Sequence, residues 1–361
     1  MRAVMARHGS LARRWRACAA LGALAALLLA GCATGTARTR PSSTSVPTDA
    51  AVRVVYTFTG HGGRVTALAY RRQIASASLD GTVQLWNPAT GAVARVYREH
   101  GGPVLAVAWS PDSALVASGD ATGMVRVWSP ASGATATVYH EHAGPITAIA
   151  WSPDGRWVAS ASEDGSARVW SADTGQTRTV FRGHGGQPVR TLAWSPDGMR
   201  IASGGDDATV QLWDAATGAT ALTYRGHSAR VTSVAWSPDG KLIASGSLDK
   251  SAQVWSPAGG TLLYAWRGYR VSAPVSDPLR VLPDQVFVVA WSHDGRRLAV
   301  VTQEYCGDEC GVVLTWDALT QQRVLVSTTL SLFALAWSPD DRLLAGSAGE
   351  STVQVFQALR P

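Results

Sequence analysis

One tryptophan recurs at a nearly constant interval along most of the chain, and this feature constrains the fold more than any other. It precedes Ser-Pro-Asp at Trp109, Trp151, Trp194 and Trp236, which are 42, 43 and 42 residues apart. An aromatic residue holds the same place at Tyr70, Trp291 and Trp337, and a second aromatic series follows at Trp86, Trp128, Trp170, Trp213, Trp255, Trp316 and Phe356. A period of this length is typical of chains built from one repeated supersecondary unit. The sequence predicts seven units.

Each unit is predicted to form four short strands. In the third unit the strands are expected over residues 146–151, 157–160, 167–170 and 177–181, with a Ser-Pro-Asp-Gly turn after the first. These strands carry apolar residues on both faces, so each sheet needs a neighbour on either side. A closed ring of sheets meets that need and leaves only short edges.

The two ends of the repeated region complement each other. Residues 52–59 resemble the fourth strand of a unit, whereas the last unit stops after its third strand at Phe356. The N-terminal strand is therefore predicted to join the last sheet and close the ring.

The motifs resemble those of WD-repeat β-propellers over residues 52–361. The resemblance rests on the pairs Gly60-His61, Gly183-His184 and Gly226-His227, with Asp and Trp at fixed offsets. Periplasmic Tol-associated propellers share the Ser-Pro-Asp-Gly turn but lack the Gly-His pair and the second Trp. The resemblance implies an all-β, seven-bladed β-propeller with a hydrogen-bonded set of His, Ser or Thr, Asp and Trp in each blade.

Four blades match this set completely, and three depart from it. The implied sets are His61, Ser76, Asp80 and Trp86; His142, Ser160, Asp164 and Trp170; His184, Ser203, Asp207 and Trp213; and His227, Ser245, Asp249 and Trp255. Blade two has Thr122 at the Asp position, blade six has Tyr269 at the His position, and blade seven lacks both the Gly-His pair and the Trp. The departures predict looser blades.

Grouped His, Ser and Asp residues also occur in hydrolases. An active site is normally unique, however, whereas this set recurs with equal spacing, so a structural role is favoured. The histidines are spread over the blades without metal-ligand spacing, and the Gly-Gly pairs precede no helix that could bind phosphate. The sequence therefore predicts no enzyme activity, no metal and no cofactor.

The basic charge of the chain is concentrated at its N-terminus. Of the formal net charge of +6, five units come from arginines within residues 1–31, which contain no acidic residue. The remainder is close to neutral and has no overall field to attract phosphates, so a nucleic-acid partner is not expected.

Residues 1–31 have the pattern of a secretory signal. Arginines precede an apolar run over 17–30, which is too short to span a bilayer as a helix. The end, Leu29-Ala30-Gly31-Cys32, resembles the bacterial lipobox, which implies cleavage and lipid attachment at Cys32. A chance cysteine or an uncleaved anchor is the alternative. Residues 32–51, rich in Ser, Thr and Pro, are predicted to tether the propeller to the extracytoplasmic face of a bacterial membrane.

Two insertions distinguish blade six. The loop leading into it is 13 residues longer than in blade five, and six extra residues surround Tyr305 and Cys306. Residues 269–285 and 304–311 are expected on one rim, the one that usually binds partners in the resembled family, with Tyr269 and Tyr305 as contacts. Neutral surface decoration is the alternative. Cys306 and Cys310 are expected to form a disulfide, against free thiols or half of a metal site.

Together these features predict a monomeric, non-catalytic scaffold whose rim binds a protein or peptide. Arg64, Glu163, Asp206 and Arg230 are placed on the same rim by their loop positions. The alternative function is a small-ligand-binding or hydrolytic propeller that uses the central channel.

Overall fold

A computed structural model describes residues 53–267, 285–304, 310–318, 320, 323–328, 333–349 and 351–358. In these ranges the chain forms 28 strands, arranged as seven antiparallel sheets of four strands each. This agrees with the predicted all-β fold of seven units.

The first four blades follow the chain in order. Blades one and two comprise β2 (Val65–Tyr70), β3 (Ile74–Ser78), β4 (Val83–Trp86), β5 (Val93–Tyr97), β6 (Val104–Trp109), β7 (Val116–Asp120), β8 (Val125–Trp128) and β9 (Thr135–Tyr139). Blades three and four comprise β10 (Ile146–Trp151), β11 (Trp157–Ser162), β12 (Ala167–Ser171), β13 (Thr177–Phe181), β14 (Val189–Trp194), β15 (Arg200–Gly205), β16 (Val210–Asp214) and β17 (Thr220–Tyr224).

The remaining blades include the N-terminal strand. Blades five and six comprise β18 (Val231–Trp236), β19 (Ile243–Ser247), β20 (Ser251–Ser256), β21 (Thr261–Arg267), β22 (Gln285–Trp291), β23 (Arg297–Glu304), β24 (Cys310–Asp317) and β25 (Arg323–Thr328). Blade seven comprises β26 (Leu335–Trp337), β27 (Leu343–Ala348), β28 (Thr352–Gln357) and β1 (Val54–Phe58).

The blades form a ring with the first strand of each blade innermost. These strands contact one another in succession, and β26 contacts β2, so the circle is complete. The hydrophobic core lies between neighbouring blades: Leu85 of blade one, for example, shares a buried cluster with Val104 and Trp128 of blade two. Because each sheet buries both faces, its strands carry apolar residues without strict alternation. This arrangement is a seven-bladed propeller.

The N-terminal strand lies at the outer edge of blade seven. β1 runs antiparallel to β28, with Phe58 opposite Val353. The Phe58 ring stacks on Trp86 of blade one at a centroid distance of 4.3 Å. Closure of the ring by this strand stays a prediction, which substitution of Phe58 tests.

The loops divide between two ends of the ring. The histidine face carries the loops that lead into the blades and the turns between second and third strands, including His61 and Asp80. The proline-turn face carries the turns between first and second strands, such as Ser152-Pro153-Asp154-Gly155, where the Ser152 hydroxyl donates to Asp154 at 2.6 Å. The flanks of both insertions lie on the histidine face, because Gln285 pairs with Gln303 and Glu304 with Cys310.

Candidate functional site

The predicted polar sets form continuous hydrogen-bond chains inside the blades. In blade one, Nδ1 of His61 lies 2.9 Å from Asp80 and its Nε2 lies 2.7 Å from the Ser76 hydroxyl. The Trp86 indole donates to the same hydroxyl at 3.1 Å. The imidazole is fully buried, and Ser76 and Trp86 are both 0% exposed. Blades three, four and five repeat this geometry with the residues that the sequence predicted.

Blade two was predicted to lack the acidic member, and this prediction is wrong. Asp120 supplies the carboxylate, 2.8 Å from Nδ1 of His100, while Nε2 of His100 lies 2.7 Å from Ser118. The Trp128 indole completes the set with a 3.1 Å hydrogen bond to Ser118. Asp120 ends β7, two residues before Thr122, which donates its own N–H and hydroxyl to the carboxylate. The carboxylate therefore reaches the imidazole from a different backbone position, which motif spacing did not anticipate.

A fifth member of each set was missed by the sequence analysis. An aromatic residue stands three residues before each histidine and stacks on the tryptophan of that set, as Tyr97 does on Trp128 at 4.3 Å. Its ring also meets the histidine edge-on, at 5.7 Å for Tyr97 and His100. The corresponding residues are Phe58, Tyr139, Phe181 and Tyr224. The recurring aromatic-x-x-His pattern is the signal that would have revealed it.

The electrostatics of the blade-one set fits a structural role. Burial opposes ionisation of Asp80, but hydrogen bonds from Thr82, His61 and backbone N–H groups outweigh it, so the pKa of Asp80 lies below its ordinary value. Burial lowers the pKa of His61 despite the neighbouring carboxylate. The imidazole between a carboxylate and a hydroxyl fixes the geometry of the blade. The serines of all five sets are 0% exposed, so their hydroxyls are not accessible from the surface.

Three of the four predicted rim residues meet in one chain of ion pairs. Arg190, which was not predicted, donates from Nε and Nη2 to the Asp206 carboxylate at 2.8 and 2.7 Å and from Nη1 to Glu163 at 2.5 Å. Arg230 forms a second fork on Asp206 at 2.6 and 3.1 Å. The hydrogen bonds from Arg190, with the charges of both arginines, lower the pKa of Asp206. The chain spans blades three, four and five, and Glu163 and Arg230 are each 43% exposed.

The fourth predicted residue, Arg64, lies on an aromatic part of the same face. Its guanidinium is 4.8 Å from the centroid of Phe333, and Phe333 meets Phe287 edge-on at 6.3 Å. Arg190 in blade four and Phe287 in blade six stand at the strand position that Thr66 holds in blade one. The Thr66 hydroxyl donates there to the backbone carbonyl oxygen of Val104 in the next blade. The arginine and the phenylalanine at this position therefore bring a charged and an aromatic side chain to the histidine face in blades four and six.

Several predicted residues lie outside the described ranges. Cys32, the tether 32–51, Tyr269, Tyr305 and Cys306 belong to them, and of Cys310 only the backbone position at the start of β24 is described. In the described part of the chain, no group of three or more His, Cys, Asp or Glu side chains is placed to hold a metal ion. Among the same residues, no helix combines the length and apolar character needed to cross a bilayer.

Comparison with known families matches the repeats directly. The family described as "WD domain, G-beta repeat" matches residues 52–87, 91–129, 133–171, 175–214 and 218–256, slightly more than half of the chain. The chain belongs to the WD40 repeat family. The five matches end with the third strands of blades one to five, the blades that contain the complete polar sets. No curated protein matches the sequence.

Proposed function

We propose that this WD40 propeller is a non-catalytic platform that binds a protein or peptide partner on its histidine face. WD40 propellers commonly serve as protein-interaction scaffolds, and this chain forms a seven-bladed ring. The observation that carries the proposal is the grouping on one face of the Glu163–Arg190–Asp206–Arg230 chain and the Phe287–Phe333 pair. These groups belong to none of the five buried sets.

The chemistry of this face favours a polypeptide over a uniformly charged ligand. The ion-pair chain is neutral overall, and its exposed ends carry opposite charges, a carboxylate at Glu163 and a guanidinium at Arg230. The half-buried aromatic pair offers an apolar contact beside them. Charged groups that set the orientation of a partner and aromatic groups that contribute affinity are the usual components of a protein interface.

We further propose that a lipid attached at Cys32 holds the platform outside the cytoplasm. The support is the order of arginines, short apolar run and lipobox-like residues in 1–32. Replacement of Cys32 by Ala should abolish incorporation of a labelled fatty acid and move the protein from the membrane fraction to the soluble fraction. Unchanged labelling of the variant would contradict attachment at this cysteine.

Photo-crosslinking in intact cells tests the binding face. A photoreactive amino acid is introduced separately at Arg230 and Glu163, and as a matched control at Lys241, whose side chain is 81% exposed on the proline-turn face. The same partner should be captured from both test positions and not from Lys241. Shortening residues 269–285 to the length of the blade-five loop should reduce that capture. Equal capture from all three positions, or none from the histidine face, would contradict the proposal.

A further inference from the structure

The proline-turn face is incomplete at blade one. In the other six blades, the last residue of the first strand pairs with a residue seven positions later, as Trp109 does with Val116 and Trp151 with Val158. In blade one, Tyr70 pairs with Ile74, only four positions later. Three residues, Arg71-Arg72-Gln73, therefore replace the six-residue Ser-x-Asp turn of the other blades.

Elsewhere, the turn of one blade packs against the turn of the next. A Cβ atom built on Gly155 of blade three would lie 3.7 Å from Cδ of Pro111 in blade two, and the next pair, Gly198 and Pro153, gives 3.5 Å. In blade two the glycine position is held by Ser113, with a φ of 63°. By analogy with these pairs, Ser113 would pack against a proline of blade one, but the three-residue link Arg71-Arg72-Gln73 contains no proline. A gap in the ring of turns follows.

This gap is a cavity of about 530 Å³ between blades one and two. Its walls include Arg71 and Arg72 from the short link and Arg95 from β5, with Trp109, Asp112 and Ser113 on the blade-two side. Within the described ranges, none of the three arginines forms an ion pair within 4 Å. The Arg95 Nη2 donates to the carbonyl oxygen of Ala131 at 2.5 Å, and its Nε is buried with no hydrogen-bond partner among the described residues.

The charge of the cavity is positive. Three arginines and one aspartate line it, and the Asp112 carboxylate already accepts from the Ser110 hydroxyl at 2.6 Å and the Ala114 N–H at 3.0 Å through one oxygen. Guanidinium groups bind phosphate through two parallel N–H donors, and the volume lies in the usual range of ligand sites. We propose that this cavity binds a phosphate group, carried by a small ligand or by a phospholipid headgroup.

The position of the N-terminal strand favours the headgroup as the source. Arg53 lines a separate cavity with Asp340 and Arg342, residues of the blade-seven turn on the same face. β1 therefore starts on the proline-turn face, and Cys32 precedes Arg53 by 21 residues in the sequence. Only this preference for a lipid source rests on the proposed function; the phosphate site itself rests on the cavity.

Binding is measured with the full chain carrying Cys32→Ser, so that no attached lipid contributes. The first probe is phosphatidylcholine vesicles with and without phosphatidylglycerol. The second probe is glycerol phosphate, whose binding is measured by calorimetry. The test variant carries Arg71→Gln, Arg72→Gln and Arg95→Gln. The matched control carries Arg98→Gln, Arg182→Gln and Arg225→Gln, which removes the same charge from exposed positions on the histidine face.

The test variant should bind the probe that the Cys32→Ser parent binds at least about tenfold more weakly than this parent does, because several arginine–phosphate contacts are lost together. The control should stay within about twofold. A second variant, in which Arg71–Gln73 is replaced by the residues of 152–157, should fill the cavity and weaken binding as strongly. Melting temperatures equal to that of the parent exclude misfolding as the cause.

Each outcome decides the proposal or its source. Binding to phosphatidylglycerol vesicles alone supports the site with a headgroup as ligand, and binding of glycerol phosphate alone supports it with a soluble ligand. No binding of either probe, or equal loss in the test variant and its charge-matched control, overturns the site.

Discussion

Replacement of Asp120 tests whether the shifted carboxylate in blade two does the same work as the carboxylates of blades one, three, four and five. Asp120 is 1% exposed and accepts from His100, from the backbone and hydroxyl of Thr122, and from the N–H of Met124. Asp120→Ala leaves a buried imidazole N–H, a hydroxyl and two backbone N–H groups without their acceptor.

The expected cost follows from those lost bonds. Leaving a buried donor without an acceptor costs roughly 1–3 kcal/mol. The His100 ring is fully buried, whereas Thr122 is exposed and its donors can bond to water, so about 2–3 kcal/mol is expected in total. For a domain of this size, about 2 °C of melting temperature corresponds to each kcal/mol, which gives a decrease of about 4–6 °C. Asp173→Ala, at an exposed position, should change the melting temperature by no more than about 1 °C.

A rescue variant separates the lost carboxylate from general disturbance of the site. Blade one has Ser78, Asp80 and Thr82 where blade two has Asp120, Thr122 and Met124. Asp120→Ser with Thr122→Asp and Met124→Thr reproduces the blade-one arrangement and should recover stability to within about 1 kcal/mol of the parent. Thermal unfolding followed by tryptophan fluorescence and circular dichroism measures all four proteins. A loss in Asp120→Ala no larger than in Asp173→Ala, or no recovery in the rescue variant, would refute the reasoning.

Four further predictions follow from the same contacts. Phe58→Ala removes the stack on Trp86 and should lower the free energy of unfolding by about 3–5 kcal/mol. The control Val55→Ala, at a position 45% exposed on the same strand, should lower it by less than about 0.5 kcal/mol. Equal melting temperatures of the two variants would contradict closure by β1. Asp206→Ala leaves Arg230 without its carboxylate and should lower the free energy of unfolding by about 1–2 kcal/mol. Adding Arg230→Ala should recover part of this loss. If the effects of the two substitutions simply add in the double variant, the two residues are not coupled. The carboxylates of Asp80, Asp120 and Asp207 have lowered pKa values in the folded state, so their contribution to the free energy of unfolding is present above the unfolded pKa of about 3.9 and is lost as the pH falls below it. Denaturant unfolding measured from pH 7 to 3 should show a steep loss of stability, and Asp120→Asn should make this loss shallower. An unchanged dependence of stability on pH in the variant would contradict this. If Cys306 and Cys310 form the predicted disulfide, the intact mass should rise by two hydrogens on reduction, and alkylation of both thiols before reduction would contradict it.

The repeated part of the fold was predictable because its signals are local and occur many times. The strands of the third unit begin where the alternation begins, and the second strand extends only two residues beyond the predicted Ser160, to Ser162. The four complete polar sets were predicted through the resemblance to WD repeats, in which each member of the set has a fixed offset in its blade. A fixed offset fails in blade two, where Thr122 holds the expected position and the carboxylate comes from Asp120, because an aspartate two residues earlier also reaches the imidazole.

The candidate site was less predictable than the fold, because it depends on contacts between blades. Loop position identified Glu163, Asp206 and Arg230 but not Arg190, which links Glu163 to Asp206 from the innermost strand of blade four. No local rule pairs a strand residue with turns of two different blades. The missing turn of blade one is visible in the sequence, yet its consequence, the cavity beside Ser113, appears only when the turns of successive blades are packed around the ring.

Blades six and seven lack the serine of the polar set as well as the histidine. The absence of the serine explains why blade six can carry its two insertions. In the registers of these sheets, Val300 and Gly346 stand where Ser76 stands in blade one. A histidine in the leading loop would then have no hydroxyl for its Nε2, and a buried polar group without a partner is destabilising. Once the serine is absent, the leading loop no longer has to place an imidazole at a fixed point. Its length and sequence can then change at little cost to stability, which fits the location of the 13-residue insertion before β22.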